Sequence, residues 1–295
     1  MTNLDGASLN QALSQISNLV NEKIDEFLPK NQDSSRSKII EAMRYSSLSQ
    51  GKKVRPFLVV VAAGIFNVPA DKVMNVAAAI EFIHVYSLIH DDLPAMDDDD
   101  YRRGQPSCHK KFDEATAILA GDSLLTYAFQ ILSDPQTVDN AEIRSELVNI
   151  IAKAIGFNGM AGGQMYDLES NGKNLSADEI LKLHHLKTGE LFMASIEAGA
   201  ILGGADLKSK KALINYAYNF GLAFQIKDDI LDYLEAEAAF KKCDETNIVN
   251  AIGMELSENK LLEFYNRALS ELDIFGSRAQ LLKDLANFIV HRKNN

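Results

Sequence analysis

Apolar residues recur at spacings of three and four along most of the chain, as in Leu9, Leu13, Ile16 and Val20 near its start. Residues spaced in this way share one face of a helix. The alternating pattern that predicts strands is missing. The pattern predicts helices at residues 8–28, 36–49, 54–66, 71–91, 111–133, 140–158, 176–203, 206–235, 257–273 and 277–292. We therefore predict an all-α fold.

Two of these segments, "PFLVVVAAGIF" and "VAAAIEFIHVYSLIH", are apolar around most of the helix circumference. Such helices are usually surrounded by other helices, which predicts a wide bundle with buried central members. The chain has 6 prolines and no linker rich in Pro, Gly or Ser. We therefore expect a single domain over residues 1–295.

Composition narrows the possible partners and the compartment. The net charge of −11, with no Lys/Arg run longer than two, disfavours nucleic-acid binding. Cys108 and Cys243 are far apart and outside any zinc-like spacing, which argues against a disulfide scaffold and suggests a reducing cytosol. The start "MTNLDGASLNQALSQI" lacks a basic region before an apolar core, and no later segment has eighteen apolar residues without charge. A cytoplasmic protein without membrane insertion is expected.

The stretch "HDDLPAMDDDDYRRG" concentrates negative charge at the end of an apolar helix. Asp91 and Asp92 end the predicted helix, Pro94 discourages its continuation, and Asp97 to Asp100 follow on the emerging turn. A solvated acidic loop is the simplest interpretation of this cluster alone. Its apolar neighbours disfavour that interpretation, because a buried carboxylate pair without a cation is costly.

A second acidic cluster, "FQIKDDILDYL", contains Asp228, Asp229 and Asp232. Asp228 and Asp232 lie one helical turn apart on one face, where like charges repel. Both clusters offer only oxygen atoms, which hard divalent cations prefer, and Mg²⁺ typically binds one or two carboxylates together with substrate phosphate. We therefore predict Mg²⁺ as the cofactor and a phosphate-bearing substrate.

Local basic groups supply anion sites that the overall charge does not. They are Lys52, Lys53 and Arg55 in "QGKKVRPF", Arg102 and Arg103 in "DYRRGQ", and His84, two helical turns before Asp91. The arginine fork matches phosphate oxygens, and lysine adds a point charge. The alternatives are solvated surface for the short basic runs and a core histidine for His84.

Together these motifs resemble the short-chain trans-prenyl diphosphate synthases, and within them the bacterial enzymes that make farnesyl diphosphate. "QGKKVRP" is similar to the family's GGKRxRP, with Gln50 and Lys53 as departures, and "HDDLPAMDDDDYRRG" is similar to its first aspartate-rich motif. "GGQMYDL", "LKTGEL" and "FQIKDDILD" follow in family order. The resemblance implies an isoprenoid synthase fold with a central cavity, a homodimer, and condensation of isopentenyl diphosphate with dimethylallyl or geranyl diphosphate.

The resemblance also implies roles for individual residues. Isopentenyl diphosphate would be held by Lys52, Arg55, His84 and Arg103, and the allylic diphosphate by Arg102, Lys187 and Lys242. Magnesium would be bound mainly by Asp91, Asp97 and Asp228, with Asp92, Asp167, Asp229 and Asp232 supporting it directly or through water. Thr188 and Gln225 would face the developing allylic cation, with Gln164 near the same wall.

The implied reaction explains why these residue types are needed. Breaking the allylic C–O bond separates a diphosphate anion from a carbocation, so Mg²⁺ and cationic side chains stabilise the leaving group. An apolar, closed site keeps water from the carbocation. The departing diphosphate is expected to take the final proton. The catalytic set is Asp91, Asp97, Asp228, Lys187, Thr188 and Gln225.

Tyr86 is predicted to set product length. It lies five residues before Asp91, more than one helical turn along the wall that the growing chain should follow. An aromatic ring there would act as a floor and limit the product to fifteen carbons. The alternative is an ordinary core tyrosine, and a product longer than farnesyl diphosphate, such as geranylgeranyl diphosphate, stays open.

Two rival functions share the fold. A terpene cyclase also ionises an allylic diphosphate, but its usual second motif needs a Ser or Thr and a Glu where this chain has Asp232 and Ala236. An inactive regulatory subunit gains weight from "YLEAEAAFKKCDETNIVNAIG", in which Lys242 matches the first of two family lysines while the loop is shorter and the second lysine is missing. Both aspartate clusters are intact, which favours an enzyme.

Overall fold

Helices form nearly all of the regular secondary structure in the computed structural model, which describes residues 6–28, 37–239 and 246–292. The chain divides into two compact units, residues 1–148 and 149–295. The prediction of an all-α fold is confirmed.

The first unit contains most of the apolar helices. Its elements are α1 (Leu9–Phe27), α2 (Ser37–Ser47), α3 (Val54–Gly64), a 3-10 helix (Ala70–Lys72), α4 (Met74–Asp91), β1 (Tyr101–Arg102), β2 (Gln105–Pro106), α5 (Cys108–Lys111) and α6 (Glu114–Ser133), and α7 (Ala141–Ile155) spans the boundary. Polar side chains cap the helix starts: Ser8 forms a capping box with Gln11, and the Asp113 carboxylate accepts a hydrogen bond of 2.7 Å from the backbone N–H of Thr116.

The core of this unit is built around α3 and α4, as their apolar sequences predict. Residues 56–63 of α3 are all buried, and α4 is buried along most of its length. α4 packs most extensively against α6. The two helices approach closely at Gly121, where an added Cβ would lie 2.2 Å from Nε2 of His90. Only glycine therefore fits at that position without a rearrangement.

A short antiparallel hairpin follows the first acidic cluster, although the sequence pattern predicts no strand. Tyr101 pairs with Pro106 and Arg102 with Gln105. Arg103 and Gly104 both have positive φ, 54° and 74°, as a two-residue hairpin loop requires. Strands of two residues are too short to show alternation, which is why the pattern misses them.

The second unit is organised around the long helix α11. Its elements are α8 (Met160–Ser170), α9 (Ala177–His184), a π-helix (His185–Gly189), α10 (Glu190–Leu202), α11 (Leu207–Ala238), α12 (Ile248–Ile252), α13 (Met254–Glu271), a 3-10 helix (Asp273–Ala279) and α14 (Gln280–His291). α11 packs mainly against α13 and α10. The buried Tyr216 hydroxyl donates to the Leu282 carbonyl at 2.8 Å, which joins α11 to α14.

Helix α8 is absent from the sequence prediction, and the predicted helix over residues 176–203 is interrupted by the π-helix. Gly162 and Gly163 weaken the helical signal of α8, because glycine costs about 1 kcal/mol in a helix interior. Tertiary packing explains why a glycine is present despite this cost. An added Cβ at Gly163 would lie 2.4 Å from the backbone nitrogen of Lys187, so no larger residue fits there.

Within the described residues, α6 is the one helix whose length and composition would allow it to cross a membrane. Its Ala117, Leu124 and Ala128 are fully buried, and the helix packs against α4. Part of its apolar sequence is therefore explained by the core of the first unit.

Candidate functional site

The first acidic cluster lies at the C-terminal end of α4. Asp91 is the last residue of this helix and Asp92 is its C-cap. The backbone N–H of Asp97 donates to the Asp91 carbonyl at 2.9 Å, which turns the acidic segment back toward the helix end. The C-terminal end of a helix carries partial negative charge, so carboxylates there are unfavourable without a nearby cation. The local geometry therefore favours a cation beside Asp91 and Asp97.

Asp92 is only 3% exposed and is held by Arg102. The Arg102 Nε donates to Asp92 Oδ1 at 2.8 Å, and its Nη2 contacts both Asp92 and Asp99. Burial raises the pKa of Asp92, while the Arg102 guanidinium opposes that rise. The structure thus joins a predicted metal-supporting residue to a predicted ligand of the allylic diphosphate.

The hairpin presents its second arginine to the loop before α3. The Arg103 Nη1 donates to Ser49 Oγ at 3.3 Å. An added Cβ at Gly51 would lie 2.7 Å from that same nitrogen, so glycine makes room for the guanidinium. A pocket beside it is lined by residues that include Ser49, Asp92, Arg102 and Arg103. Both arginines therefore border one concave surface of the first unit.

Arg55 and His84 form a partly buried basic pair in this region. The Arg55 Nη1 lies 3.2 Å from His84 Nε2. Burial, together with the charges of Arg55 and Arg103, lowers the pKa of His84 well below its ordinary value. The imidazole is therefore neutral at pH 7, and Nε2 must accept from the guanidinium, which has only donors. Burial also lowers the pKa of Arg55 to about 10, so it stays charged.

Lys52 and Tyr86 are close in sequence to Arg55 and His84, respectively. Lys52 is exposed on the loop before α3. Tyr86 packs edge to face on His90, with ring centroids 5.8 Å apart. Burial, with a contribution from the charge of Asp91, raises the pKa of Tyr86 to about 12. The tyrosine thus lies close to the acidic end of α4, on the helix where the sequence places it.

In the second unit, Lys187 and Thr188 lie on the π-helix. π-turns are rare and are found frequently at functional sites. Lys187 Nζ donates to Asp167 Oδ2 on α8 at 2.6 Å. A predicted ligand of the allylic diphosphate is therefore paired with a predicted metal-supporting carboxylate.

Gln164 lies on α8, one turn before Asp167. Both polar atoms of its amide are buried, and neither has a hydrogen-bond partner among the described residues. Leaving a buried amide unsatisfied costs about 1–3 kcal/mol per group. This orphaned amide indicates a place where a bound molecule could supply the missing hydrogen bonds.

Helix α11 carries Gln225, Asp228, Asp229 and Asp232. Gln225 is half-buried, and Asp232 is exposed. Because the donor set of Asp228 and Asp232 is again oxygen only, it fits a hard divalent cation.

Asp228 is paired with Arg292, which follows the end of α14. The guanidinium also lies 4.8 Å from the centroid of the Phe224 ring, one turn before Asp228. Burial lowers the pKa of Arg292. An arginine from the C-terminal segment thus pairs with Asp228 in the chain without ligands.

Asp229 contacts different residues from those that Asp228 contacts. Its Oδ2 accepts from the backbone N–H of Ile248 at 2.7 Å, and its carbonyl accepts from Asn247 Nδ2 at 2.7 Å. The same carboxylate lies 3.5 Å from Nε2 of His184. Burial, together with the charge of Lys187, lowers the pKa of His184 to about 4, so this histidine is neutral at pH 7. Asp229 therefore anchors the start of α12 to α11.

The structure brings together Asp92 with Arg102, Arg55 with His84, and Lys187 with Asp167. Lys242 lies outside the described residues. Sequence reasoning missed two charged residues: Arg292, which belongs to no motif, and Glu81, whose side chain is 1% exposed and pairs with Lys53. The signal for Glu81 was an acidic residue inside an otherwise apolar helix.

One further group near the first cluster was also missed. Asp98, Asp100 and His109 place their potential ligand atoms within 4.8 Å of one another. Lys110 Nζ lies 2.7 Å from Asp100 Oδ1, and His109 Nδ1 lies 3.1 Å from Ser107 Oγ. A protein cation therefore already neutralises part of this group.

Known proteins are similar to this chain over most of its length. The polyprenyl synthetase family matches residues 36–259. The farnesyl diphosphate synthase of Escherichia coli is 41% identical over 268 residues, covering 86% of this chain and 89% of the relative. The geranylgeranyl diphosphate synthase of Cyanophora paradoxa is 37% identical over 264 residues, covering 87% and 88%.

A solved structure gives the same result. The apo structure of an FPP/GFPP synthase from Zymomonas mobilis superposes with a TM-score of 0.87 at 39% identity, covering 96% of this chain and 98% of that one. Sequence similarity and fold thus agree over nearly the whole chain. The chain belongs to the polyprenyl synthetase family.

Proposed function

We propose that the protein is a trans-prenyltransferase that condenses isopentenyl diphosphate with dimethylallyl or geranyl diphosphate to give farnesyl diphosphate. The observation that carries this proposal is the mixture of charges around α4. Carboxylates there favour a cation, and Arg102 and Arg103 border a pocket beside them that favours an anion. A metal-bound diphosphate satisfies both requirements at once.

The aspartates of the two clusters fit Mg²⁺ because they offer only oxygen atoms. Asp91, Asp97 and Asp228 would hold the metal, with Asp92, Asp167, Asp229 and Asp232 in support. When bound, magnesium neutralises charge on the leaving diphosphate. The contacts of Asp92 with Arg102 and of Asp229 with Ile248 favour an indirect role for these two carboxylates.

The basic residues divide between the two substrates. Lys52, Arg55, His84 and Arg103 would bind isopentenyl diphosphate, and Arg102, Lys187 and Lys242 the allylic diphosphate. A neutral His84 that accepts from Arg55 keeps its other ring nitrogen as a donor for a phosphate oxygen. Charge-assisted hydrogen bonds from these groups would hold each diphosphate in a fixed orientation.

Thr188, Gln225 and Gln164 would face the allylic chain as its bond to diphosphate breaks. Oriented hydroxyl and amide dipoles stabilise a positive charge without forming a covalent bond to it. The orphaned amide of Gln164 supports this assignment, because a bound substrate would contact it. The departing diphosphate, still held by its lysine and arginine ligands, would accept the proton that ends the reaction.

The length of the prenyl product distinguishes farnesyl diphosphate synthesis from geranylgeranyl diphosphate synthesis. Relatives of this chain include a geranylgeranyl diphosphate synthase as well as farnesyl diphosphate synthases. Tyr86, beside the acidic end of α4, would block growth beyond fifteen carbons. Farnesyl diphosphate is therefore the proposed product, and the longer geranylgeranyl diphosphate is the alternative.

We also propose one domain over residues 1–295, a homodimer, and a cytoplasmic location. The family match runs across the boundary of the two units without interruption, which supports one domain. Ile118 and Leu119 of α6 are 43% and 55% exposed in the isolated chain, which supports a subunit interface on that helix.

Product analysis tests the proposal. Purified protein is incubated with isopentenyl and geranyl diphosphates and Mg²⁺, and with each substrate alone. The expected result is farnesyl diphosphate only when both substrates are present. A cyclic hydrocarbon from geranyl diphosphate alone would indicate a terpene cyclase. No product in any mixture would contradict an active enzyme and favour a regulatory subunit.

A further inference from the structure

A fully buried ion pair lies behind the basic residues of the first unit. The side chains of Lys53 and Glu81 are each 1% exposed. Lys53 Nζ donates to Glu81 Oε1 and to the Ser47 carbonyl, both at 3.0 Å. Because the ammonium is enclosed by these contacts, Lys53 is not available to a diphosphate, unlike the exposed Lys52 beside it.

The pair holds an unusual backbone conformation. Lys53 has φ of +46°, in the left-handed region that side chains rarely adopt outside glycine, and it is the N-cap of α3. Its carbonyl accepts from the backbone N–H of Phe57 at 3.0 Å, which begins the helix. Such a conformation persists only when surrounding contacts enforce it. The ion pair to Glu81 and the hydrogen bond to the Ser47 carbonyl are two such contacts.

Both members are adjacent to the proposed ligands of isopentenyl diphosphate. Arg55 follows Lys53 by two residues, and His84 lies one turn after Glu81 on α4. The two ligands meet at 3.2 Å, from Arg55 Nη1 to His84 Nε2. The ion pair therefore joins the loop to the helix where Arg55 must be aligned with His84.

We propose that Lys53 and Glu81 form a positioning pair that aligns Arg55 and His84 for isopentenyl diphosphate. This inference rests on the proposed function. The competing explanation is that the pair contributes only to folding stability. The two explanations differ in whether substrate affinity changes in a variant that is still folded.

The same geometry predicts which replacement at position 53 is tolerated. Glu81 Oε2 is buried and has no hydrogen-bond partner in the part of the chain that is described. Arginine offers parallel donors that match both oxygens of a carboxylate, whereas lysine places one ammonium on one oxygen. Lys53→Arg should therefore keep the alignment.

The central test is the double variant K53M/E81M. Removing one partner alone would leave a buried, unpaired charge and destabilise the fold by about 3–5 kcal/mol, but replacing both with apolar side chains of similar volume is often neutral for stability. We expect KM for isopentenyl diphosphate to rise about tenfold, a loss of about 1.4 kcal/mol of binding, with KM for geranyl diphosphate changed less than about twofold. Lys53→Arg should stay within about twofold of wild type in both constants.

The control is K23M/E26M, which removes a more exposed ion pair of 2.6 Å on α1, a helix that carries none of the proposed ligands. It should leave both KM values unchanged. A folded K53M/E81M variant with wild-type KM for isopentenyl diphosphate would reduce the pair to a stability element. If that variant does not fold, Glu81→Asp keeps both charges but shortens the anchor, and an unchanged KM in this variant would likewise overturn the proposal.

A binding measurement separates this inference from the proposed function. Inorganic pyrophosphate is titrated calorimetrically into wild type and K53M/E81M in EDTA, without turnover. An affinity about tenfold weaker in the double variant supports the positioning role even if the wild type forms no prenyl product. Equal affinities would overturn it, whatever the wild type catalyses.

Discussion

Replacing Arg292 with glutamine should increase the affinity of the second aspartate cluster for divalent cations. The guanidinium is paired with Asp228 and lies over Phe224 at 4.8 Å. A metal that binds Asp228 must first displace this internal cation or share the carboxylate with it. Removing the competitor therefore removes part of the free energy that opposes metal binding.

The size of the effect follows from the exposure of the pair. Exposed ion pairs contribute about 0–1 kcal/mol, whereas losing one partner of a buried pair costs about 3–5 kcal/mol. The side chains of Arg292 and Asp228 are 20% and 33% exposed, so solvent screening reduces the contribution to about 1–2 kcal/mol. Since each 1.4 kcal/mol is about a tenfold change in affinity, we expect metal binding to tighten about five- to thirtyfold.

Calorimetric titration of Mg²⁺ or Mn²⁺ into the substrate-free protein measures this affinity directly. Arg267→Gln is a matched control in the same unit. Arg267 also pairs with a carboxylate, that of Glu263, and its guanidinium lies 5.8 Å from the Phe264 ring. Both variants lose one positive charge, so an effect that depends on net charge alone should appear in both.

Unchanged or weaker metal binding in Arg292→Gln would refute the competition between arginine and metal. Equal tightening in Arg292→Gln and Arg267→Gln would show that net charge, and not the contact with Asp228, is responsible. Unfolding curves for both variants confirm that the comparison is made between folded proteins.

Four further predictions concern single residues. Asp91→Ala should lower turnover at least about a hundredfold with little change in unfolding free energy, since a ligand of the leaving-group cation is lost; near wild-type kcat at saturating Mg²⁺ would contradict this. Tyr86→Ala should lengthen the product from fifteen carbons toward twenty or more, measured by chromatography of dephosphorylated products, and an unchanged product would leave the tyrosine as packing only. Lys242→Ala should lower turnover about ten- to a hundredfold and more than Lys241→Ala, if it loses a charge-assisted contact; equal, small effects in steady-state kinetics would place both lysines outside the site. Burial lowers the pKa of His184 to about 4 in the folded protein, so between about pH 6.5 and pH 4 the unfolded chain binds a proton at this imidazole more readily than the folded chain does. The free energy of unfolding should therefore fall by on the order of 3 kcal/mol as the pH is lowered from about 6.5 to 4. Urea unfolding at both pH values should show a smaller fall in His184→Gln than in wild type.

Most of the helices could be predicted from the sequence because their apolar residues recur at spacings of three and four, and the helix face that these residues share is the one that is buried. α1 is an example: Leu13, Ile16, Val20 and Ile24 are predicted to share a face and are buried together. α8 could not be predicted in this way. Its two adjacent glycines are explained only by the close approach of the π-helix, which is a tertiary contact.

In the candidate site, too, features set by neighbouring residues could be predicted, whereas contacts between residues distant in sequence could not. Asp91 and Asp97 can be placed from sequence, because the proline between them forces a turn at the helix end. The partners of Asp228 and Asp229 could not be placed. Arg292 and Ile248 are distant in sequence, and spacing carries no information about which carboxylate a remote group will contact.

The π-helix over His185–Gly189 contains one more residue per turn than an α-helix, so it is equivalent to a one-residue insertion between α9 and α10. Each residue of an α-helix turns the chain by about 100°. Deleting one residue here would allow a continuous helix, but it would rotate Leu191 and Phe192 out of the core relative to Ile180 on α9. The number of residues between Ile180 and Leu191 is therefore fixed by packing on both sides, and length variation among related chains should be excluded from this segment even where individual residues change.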